Sequence, residues 1–443
     1  MAFASGPGTA HKYGTLGYSL IRRFLTYFRR QTQLHALLGL ILGVTAGLQF
    51  SFTKPLADVL DLVVESYGFV APVVMYLILA PGILGLKNLR RKDSSAVSLQ
   101  RIMWWIVGLR LGACLLAVMV AALAFSLPVS EAQTHETSGW AVVRTFGQMM
   151  LMSPYFYAIY AAILTCALAW RKESPLIERF IRLPEWVESL GGALTTVTPL
   201  FTFLVGIYVT TLPDVLAEHF AGARLELGAI SVCGVRLDVN SPGGILILYL
   251  TLALLTGAVC TVWHFVLLIL VRQRHRDFSL RQYFFSYFVR VYPLLWATSS
   301  EALATPLNMH LVKENYPDIP AATRHLMMSV GSIFNINGTL ICCFIMVPAT
   351  CALLNQELSI LSLLMCVPVI YVLGFGVPGI PGELVLFAGP LIDILGIPEP
   401  VQASFLLVFI GLQVGLPDSF RTGANSTDDC PTTLLVHDAG SVS

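Results

Sequence analysis

Charge is scarce in this chain. Of 443 residues, 27 are Lys or Arg and 26 are Asp or Glu, so 12% are charged and the formal net charge is +1. Soluble globular proteins carry roughly 25% charged residues, and a water-facing surface cannot be coated with half that supply. A soluble enzyme, a coiled coil and a disordered region are excluded on that ground. The even balance leaves no basic excess for nucleic acid. The cysteines form no framework either. Nine is an odd count, and no zinc-type or redox spacing occurs among them. Most lie inside apolar runs (Cys114, Cys166, Cys260, Cys342, Cys343, Cys351, Cys366) and read as small buried hydrophobes. Enzyme signatures are missing too: there is no H-E-x-x-H, Walker loop, G-x-G-D intramembrane aspartyl motif or pair of metal-ligand histidines.

What is abundant is apolar surface, with 56% of residues hydrophobic and a mean hydropathy of +0.74. A hydrocarbon core of about 30 Å needs about 20 apolar residues per helix. Candidate spans are 35–53, 57–86, 101–128, 147–170, 190–214 and 242–271, with a more broken region from 283 onward. Basic residues mark the cytoplasmic side. They precede the first span (Arg22, Arg23, Arg29, Arg30) and follow the second (Lys87, Arg90, Arg91, Lys92), the fourth (Arg171, Lys172) and the sixth (Arg272, Arg274, Arg276). The opposite loop 129–143 holds Glu131 and Glu136 and no Lys or Arg. The reading is a polytopic membrane protein with a cytoplasmic amino terminus, whose first 34 residues form a basic lead-in suited to the lipid interface.

The last 160 residues break the pattern of simple spans. Segments 283–312 and 358–393 are long and apolar, yet the first is interrupted at Thr298-Ser299-Ser300-Glu301 and the second at Gly376-Val377-Pro378-Gly379-Ile380-Pro381-Gly382. Each half is too short to cross, so each segment is expected to be a re-entrant helical hairpin. Non-helical backbone at membrane depth is tolerated only in protein or beside a wet cavity, and a pair of such segments points to a transporter binding site. Asn335-Ile336-Asn337-Gly338-Thr339 interrupts another apolar helix, running from Met327 to Leu354, and reads as an unwound turn whose carbonyls coordinate an ion, or as a polar kink that packs helices.

Asp418, Arg421, Asn425 and Asp429 follow an apolar run from 403 to 416. At 100° per residue they fall within about 80° of one helix face over about 16 Å. A charge at a bilayer centre costs about 2.5–3.5 kcal/mol even on the mild insertion scale, so this face is expected to meet protein, ions or substrate. The alternative is a solvated carboxy-terminal tail with an internal Arg–Asp pair. An Arg offers a fork for a carboxylate, an Asp accepts from an ammonium, and Asn425 with Asp429 offers hard oxygens for a small cation. Glu301 is a protonatable gate, an ion ligand, a partner for Arg421 or a group in an aqueous mouth. Arg110, well inside the third span, is expected to find an internal ionic partner or to snorkel; His264 reads as packed or interfacial.

These motifs together resemble the dicarboxylate/amino acid:cation symporters, the glutamate-transporter homologues, most strongly over 283–429. Thr298-Ser299-Ser300 through Pro306 is similar to the serine-rich tip of that family's first hairpin. Gly331-Ser332-Ile333-Phe334-Asn335-Ile336-Asn337-Gly338-Thr339 is similar to its unwound seventh helix, and Gly379-Ile380-Pro381-Gly382 to the tip of its second hairpin. Asp418-x-x-Arg421-Thr422-x-x-Asn425-x-x-x-Asp429 reproduces its eighth-helix spacing. The resemblance implies an all-α elevator fold of eight transmembrane helices plus two hairpins, assembled as a homotrimer in a plasma or bacterial inner membrane. Residues 35–86 and 147–214 would form its scaffold; 101–128 and 242–443 would form its transport domain.

The resemblance also implies roles. Arg421 would clamp the substrate's side-chain carboxylate and Asp418 its amino group. Thr422, Asn425, Thr339 and the hairpin tips (Ser299, Ser300, Gly379, Pro381) would hold the α-carboxylate. Asp429 with carbonyls of Gly331, Asn335 and Asn425 would form a sodium site. No cofactor is implied beyond coupling Na+ or H+. Three departures bear on coupling: Asn337 stands where most members have Asp, Arg110 where hydroxyls are usual, and Glu301 where a serine is usual. They lead to the expectation of fewer sodium ions, with Glu301 as a proton carrier.

Overall fold

Where the structure describes them, the apolar runs read from the sequence fold as helices and the interruptions at 298–301 and 335–337 fall at helix ends; most of the 57–86 span and the break at 377–382 lie outside the described residues. A computed structural model describes residues 32–50, 55–56, 62, 72–73, 76–85, 98–129, 144, 147, 151, 154–169, 174–220, 229–239, 241–376 and 384–437. In chain order its main elements are α1 (Thr32–Gln49), α2 (Leu99–Ala124), α3 (Pro154–Ala169), α4 (Leu183–Phe220), α5 (Pro242–Arg274), α6 (Val289–Thr298) and α7 (Glu301–Asn315). They continue with α8 (Ala321–Phe334), α9 (Asn337–Leu353), α10 (Ile360–Leu373), α11 (Val385–Leu395), α12 (Glu399–Gln413), α13 (Leu416–Thr427) and α14 (Asp429–Val436). Between α4 and α5 lies a two-stranded antiparallel ribbon, Ala229–Val232 with Val235–Asp238. It is a strand element that the helical reading passed over. Its turn places Cys233 at positive φ and exposed; the other eight cysteines are buried, and none is bridged.

Among the described residues, three helical stretches are long and apolar enough to cross a membrane: Gln100–Ala124, Gly243–Arg274, and Ala321–Leu353 counted across its break. A fourth is the pair Glu399–Gln413 and Leu416–Val436, bent by 65°. Shorter apolar helices include Leu34–Gln49, Tyr157–Ala169 and Thr196–Thr211. The surface agrees with a lipid solvent: Leu42, Leu123, Leu164 and Leu254 are each at least 60% exposed, while Glu301, Arg421 and Asp428 are fully buried. The chain is an integral membrane protein of helical architecture.

Two packing arrangements hold the interior in place. Along α1 and α4, small residues bring backbones together: a Cβ at Gly43 would strike the carbonyl of Phe203, and one at Gly206 would strike that of Leu40. Such close approach substitutes for a hydrophobic drive that lipid cannot supply. In the second arrangement, α9 and α13 form the centre, packed on each other and wrapped by α2, α5, α7 and α12. The largest apolar cluster runs through this region, with Ile341, Phe344, Val347, Phe405 and Phe409 fully buried.

Candidate substrate and cation site

Three breaks in helices converge on the face of α13. The first is the joint of α6 and α7. Ser299 ends α6 in the left-handed region (φ 46°), and the Ser300 side chain caps α7 by accepting from the Leu303 N–H at 3.4 Å. That cap places Glu301 in the first turn of α7, where the positive end of the helix dipole favours a carboxylate. The second break separates α8 from α9 at Asn335-Ile336, a longer frame than the Met327–Leu354 read from the sequence. The third is the bend before α13. Gly415 takes φ +82° there, and Tyr249 of α5 closes the gap by donating to the Val414 carbonyl (2.6 Å) and accepting from the Leu416 N–H (2.8 Å).

The face of α13 is interior, so the solvated-tail alternative is wrong: Asp418 is 5% exposed and Arg421, Asn425, Asp428 and Asp429 are 0–1% exposed. Arg421 pairs with Asp418 one turn before it and donates to the Thr339 hydroxyl at 2.8 Å. Asn425 accepts from the Thr339 N–H (3.1 Å) and donates both to the Thr339 hydroxyl (2.8 Å) and to Glu301 Oε1 (2.7 Å). Glu301 therefore lies in the same hydrogen-bonded group and not in an aqueous mouth; its exposure is 0%. Ser299 Oγ meets Ser419 Oγ at 3.2 Å, which brings the tip of the first pair onto α13. Thr422 is buried beside this group, and Ser300 is committed to its cap. Gly379 and Pro381 lie outside the described residues.

The second cluster lies one turn further along, where α13 gives way to α14. Asp429 sits directly over Gly331, where any Cβ would collide with its carboxylate. Its Oδ1 accepts from Asn335 Nδ2 at 2.8 Å, and that same amide donates to the Asn425 carbonyl at 3.2 Å. The residues expected to hold a cation are thus neighbours, and their oxygens converge on an amide N–H. Asn337 turns toward Asp428, donating to its Oδ2 at 3.1 Å and to Asn335 Oδ1 at 2.8 Å. Among the described residues no cluster of three or more His, Cys, Asp or Glu forms a metal centre.

Two sequence readings need correction. His264 is not a plain packed histidine, because its Nδ1 lies 2.7 Å from Asp428 Oδ1 and its Nε2 3.0 Å from the Tyr283 hydroxyl. Asp428, which had no assigned role, is the hub between His264 and Asn337. Arg110 is fully buried without a carboxylate partner among the described residues. It donates to the Tyr371 carbonyl at 3.0 Å and lies over the rings of Tyr371 and Phe375, 5.0 and 3.8 Å from their centroids.

A buried Arg beside a buried Asp, with amide and hydroxyl donors and a carboxylate-bearing helix turn on one face, offers the chemistry that recognition of a small charged solute requires. Comparison with known families agrees. Residues 234–439 match the model of the sodium:dicarboxylate symporter family. That stretch contains every candidate site residue except Arg110, and three of the four motifs that carry the resemblance fall on described, converging elements. No curated protein matches the chain. The sodium:dicarboxylate symporter match spans just under half of the chain and starts at the turn between the two strands of the ribbon.

Proposed function

We propose that the protein is a secondary active transporter that imports an acidic amino acid, aspartate or glutamate, with Na+ or H+ as the coupling ion. The reading rests on the pairing of Asp418 with Arg421 inside a buried group shared with Thr339, Asn425 and Glu301. A solute with two carboxylates and an ammonium can replace that internal pair by two others. One carboxylate takes the Arg421 fork and the ammonium takes the released Asp418. The second carboxylate finds the hydroxyl and amide donors of Thr339 and Asn425 and the backbone at Ser299-Ser300. Each charge of the internal pair regains an opposite partner in the exchange, which matters where unpaired charge is expensive, and the solute's one excess negative charge is met by neutral donors and the coupling cation.

Cation coupling follows from the neighbouring cluster. An arriving Na+ would take the oxygens of Asp429 and Asn425 that the Asn335 amide now occupies. Rotation of that amide would turn its own oxygen toward the ion. Asn425 belongs to both clusters, so filling one site stiffens a residue that the other needs, which is a physical route to coupling. Movement between the two membrane faces would be of the elevator type, in a homotrimer of the plasma or bacterial inner membrane.

A C4-dicarboxylate carrier is the second reading, favoured by the family description and by Glu301 in place of a serine. Such a substrate carries no ammonium and would leave Asp418 displaced and unpaired. Uptake of labelled aspartate, glutamate and succinate into proteoliposomes, with sodium and proton gradients imposed separately, decides. Amino-acid uptake driven by either gradient is expected; Glu301→Gln should remove any dependence on pH. Uptake of succinate alone would reject the role given to Asp418. Specific binding without uptake would point to a sensor or scaffold.

A further inference from the structure

Arg110 is a fully buried charge that the proposed transport chemistry does not use. It is 0% exposed, and among the described residues neither its Nε nor its Nη1 has a hydrogen-bond partner. A guanidinium in that setting is costly, so its surroundings define what it does. Its hydrogen bond and its ring contacts all belong to the end of α10. Tyr371, whose carbonyl accepts from Arg110 at 3.0 Å, lies in the last turn of that helix, where carbonyls have no intrahelical partner. The carbonyls of Ile370 and Val372 are already taken by the Gly374 N–H. The guanidinium therefore completes the cap at the negative end of the helix dipole. Its flat faces meet Tyr371 and Phe375, an arrangement that a planar guanidinium supports and an ammonium does not. The Tyr371 hydroxyl ties back to the Val107 carbonyl of α2 at 2.8 Å, so α2 and α10 are joined twice across 261 and 264 positions of sequence.

The geometry points to Arg110 as a positioning residue that latches the end of α10 to α2 and to the Asn335-Ile336-Asn337 turn. Gly374 shows how close the latch is. A Cβ there would collide with Arg110 Nη2 and would lie 2.8 Å from Ile336 Cδ1. The same few atoms thus touch α2, the end of α10 and the unwound Asn335-Ile336-Asn337 turn. Phe375 adds a ring contact with Phe334, the last residue of α8, at 6.0 Å between centroids. Releasing Arg110 would loosen the end of α10 and the turn that carries Asn335 and Asn337. The consequence for transport rests on the proposed function; the latch itself does not.

The test reads the latch without substrate. In proteoliposomes, deuterium labelling of the backbone amides of residues 372–376, at the end of α10, is followed by mass spectrometry. Arg110→Ala is expected to raise the labelling rate at least fivefold, and added guanidinium ion to restore it by filling the vacated space. Arg110→Lys should restore it only in part. In uptake assays the substitution should raise KM more than it lowers kcat. If Arg110→Ala does not fold, Gly374→Ala attacks the same contact from the other side and should also raise the labelling rate. Unchanged labelling in a folded variant, or no response to guanidinium in a faster-labelled one, would overturn the latch, whatever the substrate proves to be.

Discussion

Asp418→Asn separates the two substrate readings most sharply. The substitution keeps the shape of the side chain and a carbonyl acceptor but removes the charge that now pairs with Arg421. Every carboxylate substrate must displace that pairing before it reaches the guanidinium, so all should gain the same advantage when it is weakened. Only a substrate with an ammonium loses something in return. A hydrogen bond to a charged group contributes about 1.5–3 kcal/mol, and about 1.36 kcal/mol is a factor of ten. The inhibition constants of aspartate and succinate should therefore shift relative to each other by about 10- to 150-fold, in favour of succinate. The measurement is competition against uptake in proteoliposomes, with wild type and variant reconstituted at equal density. Because the gain at Arg421 is common to both ligands, it cancels in the ratio. Equal shifts for aspartate and succinate would refute the assignment of Asp418 to the ammonium.

Two further outcomes test the scaffold around the site. Tyr249→Phe removes the hydroxyl that serves both Val414 and Leu416 across the bend. Leaving a buried N–H and carbonyl unmet costs about 1–3 kcal/mol each, so thermal unfolding in detergent should come at a distinctly lower temperature; an unchanged midpoint would mean that another group closes the bend. Gly331→Ala drives a methyl into the Asp429 carboxylate, and overpacking of this kind costs about 1–3 kcal/mol. Half-maximal uptake should need a sodium concentration several-fold higher, read from a sodium titration at saturating substrate, whereas an unaltered titration would remove Asp429 from the cation site.

How far the sequence carried the interpretation depends on the distance over which a residue acts. The Asp418, Arg421, Asn425 and Asp429 face was legible because helical periodicity alone places those side chains together. The breaks at Ser299 and Asn335 were legible because polar residues in an apolar run must be housed somewhere. The partners were not. His264 and Asp428 are 164 positions apart, and nothing local distinguishes this histidine from one that merely packs. The surroundings of Arg110 were missed for the same reason, since its aromatic faces come from a helix that begins 250 positions later. The ribbon at Ala229–Asp238 did leave a local sign, with Ile230 and Val232 alternating with Ser231 before a Cys233-Gly234 turn. Short strands of this kind are easily passed over between long apolar runs.

The seam between α1 and α4 has a mechanical meaning. Where Gly43 lies on the Phe203 carbonyl and Gly206 on that of Leu40, two backbones interlock with no side chain between them to change rotamer. Such a seam has no soft coordinate: the helices cannot slip past each other by a fraction of a turn, and the next equivalent register is about 5.4 Å away. The contact of α4 with the α6–α7 pair is built differently, from Leu204 and Val205 on one side and Ala297 on the other, with Trp296 and Phe201 beside them. Interlocked backbone on one side of α4 and side chains on the other give that helix one stiff face and one deformable face.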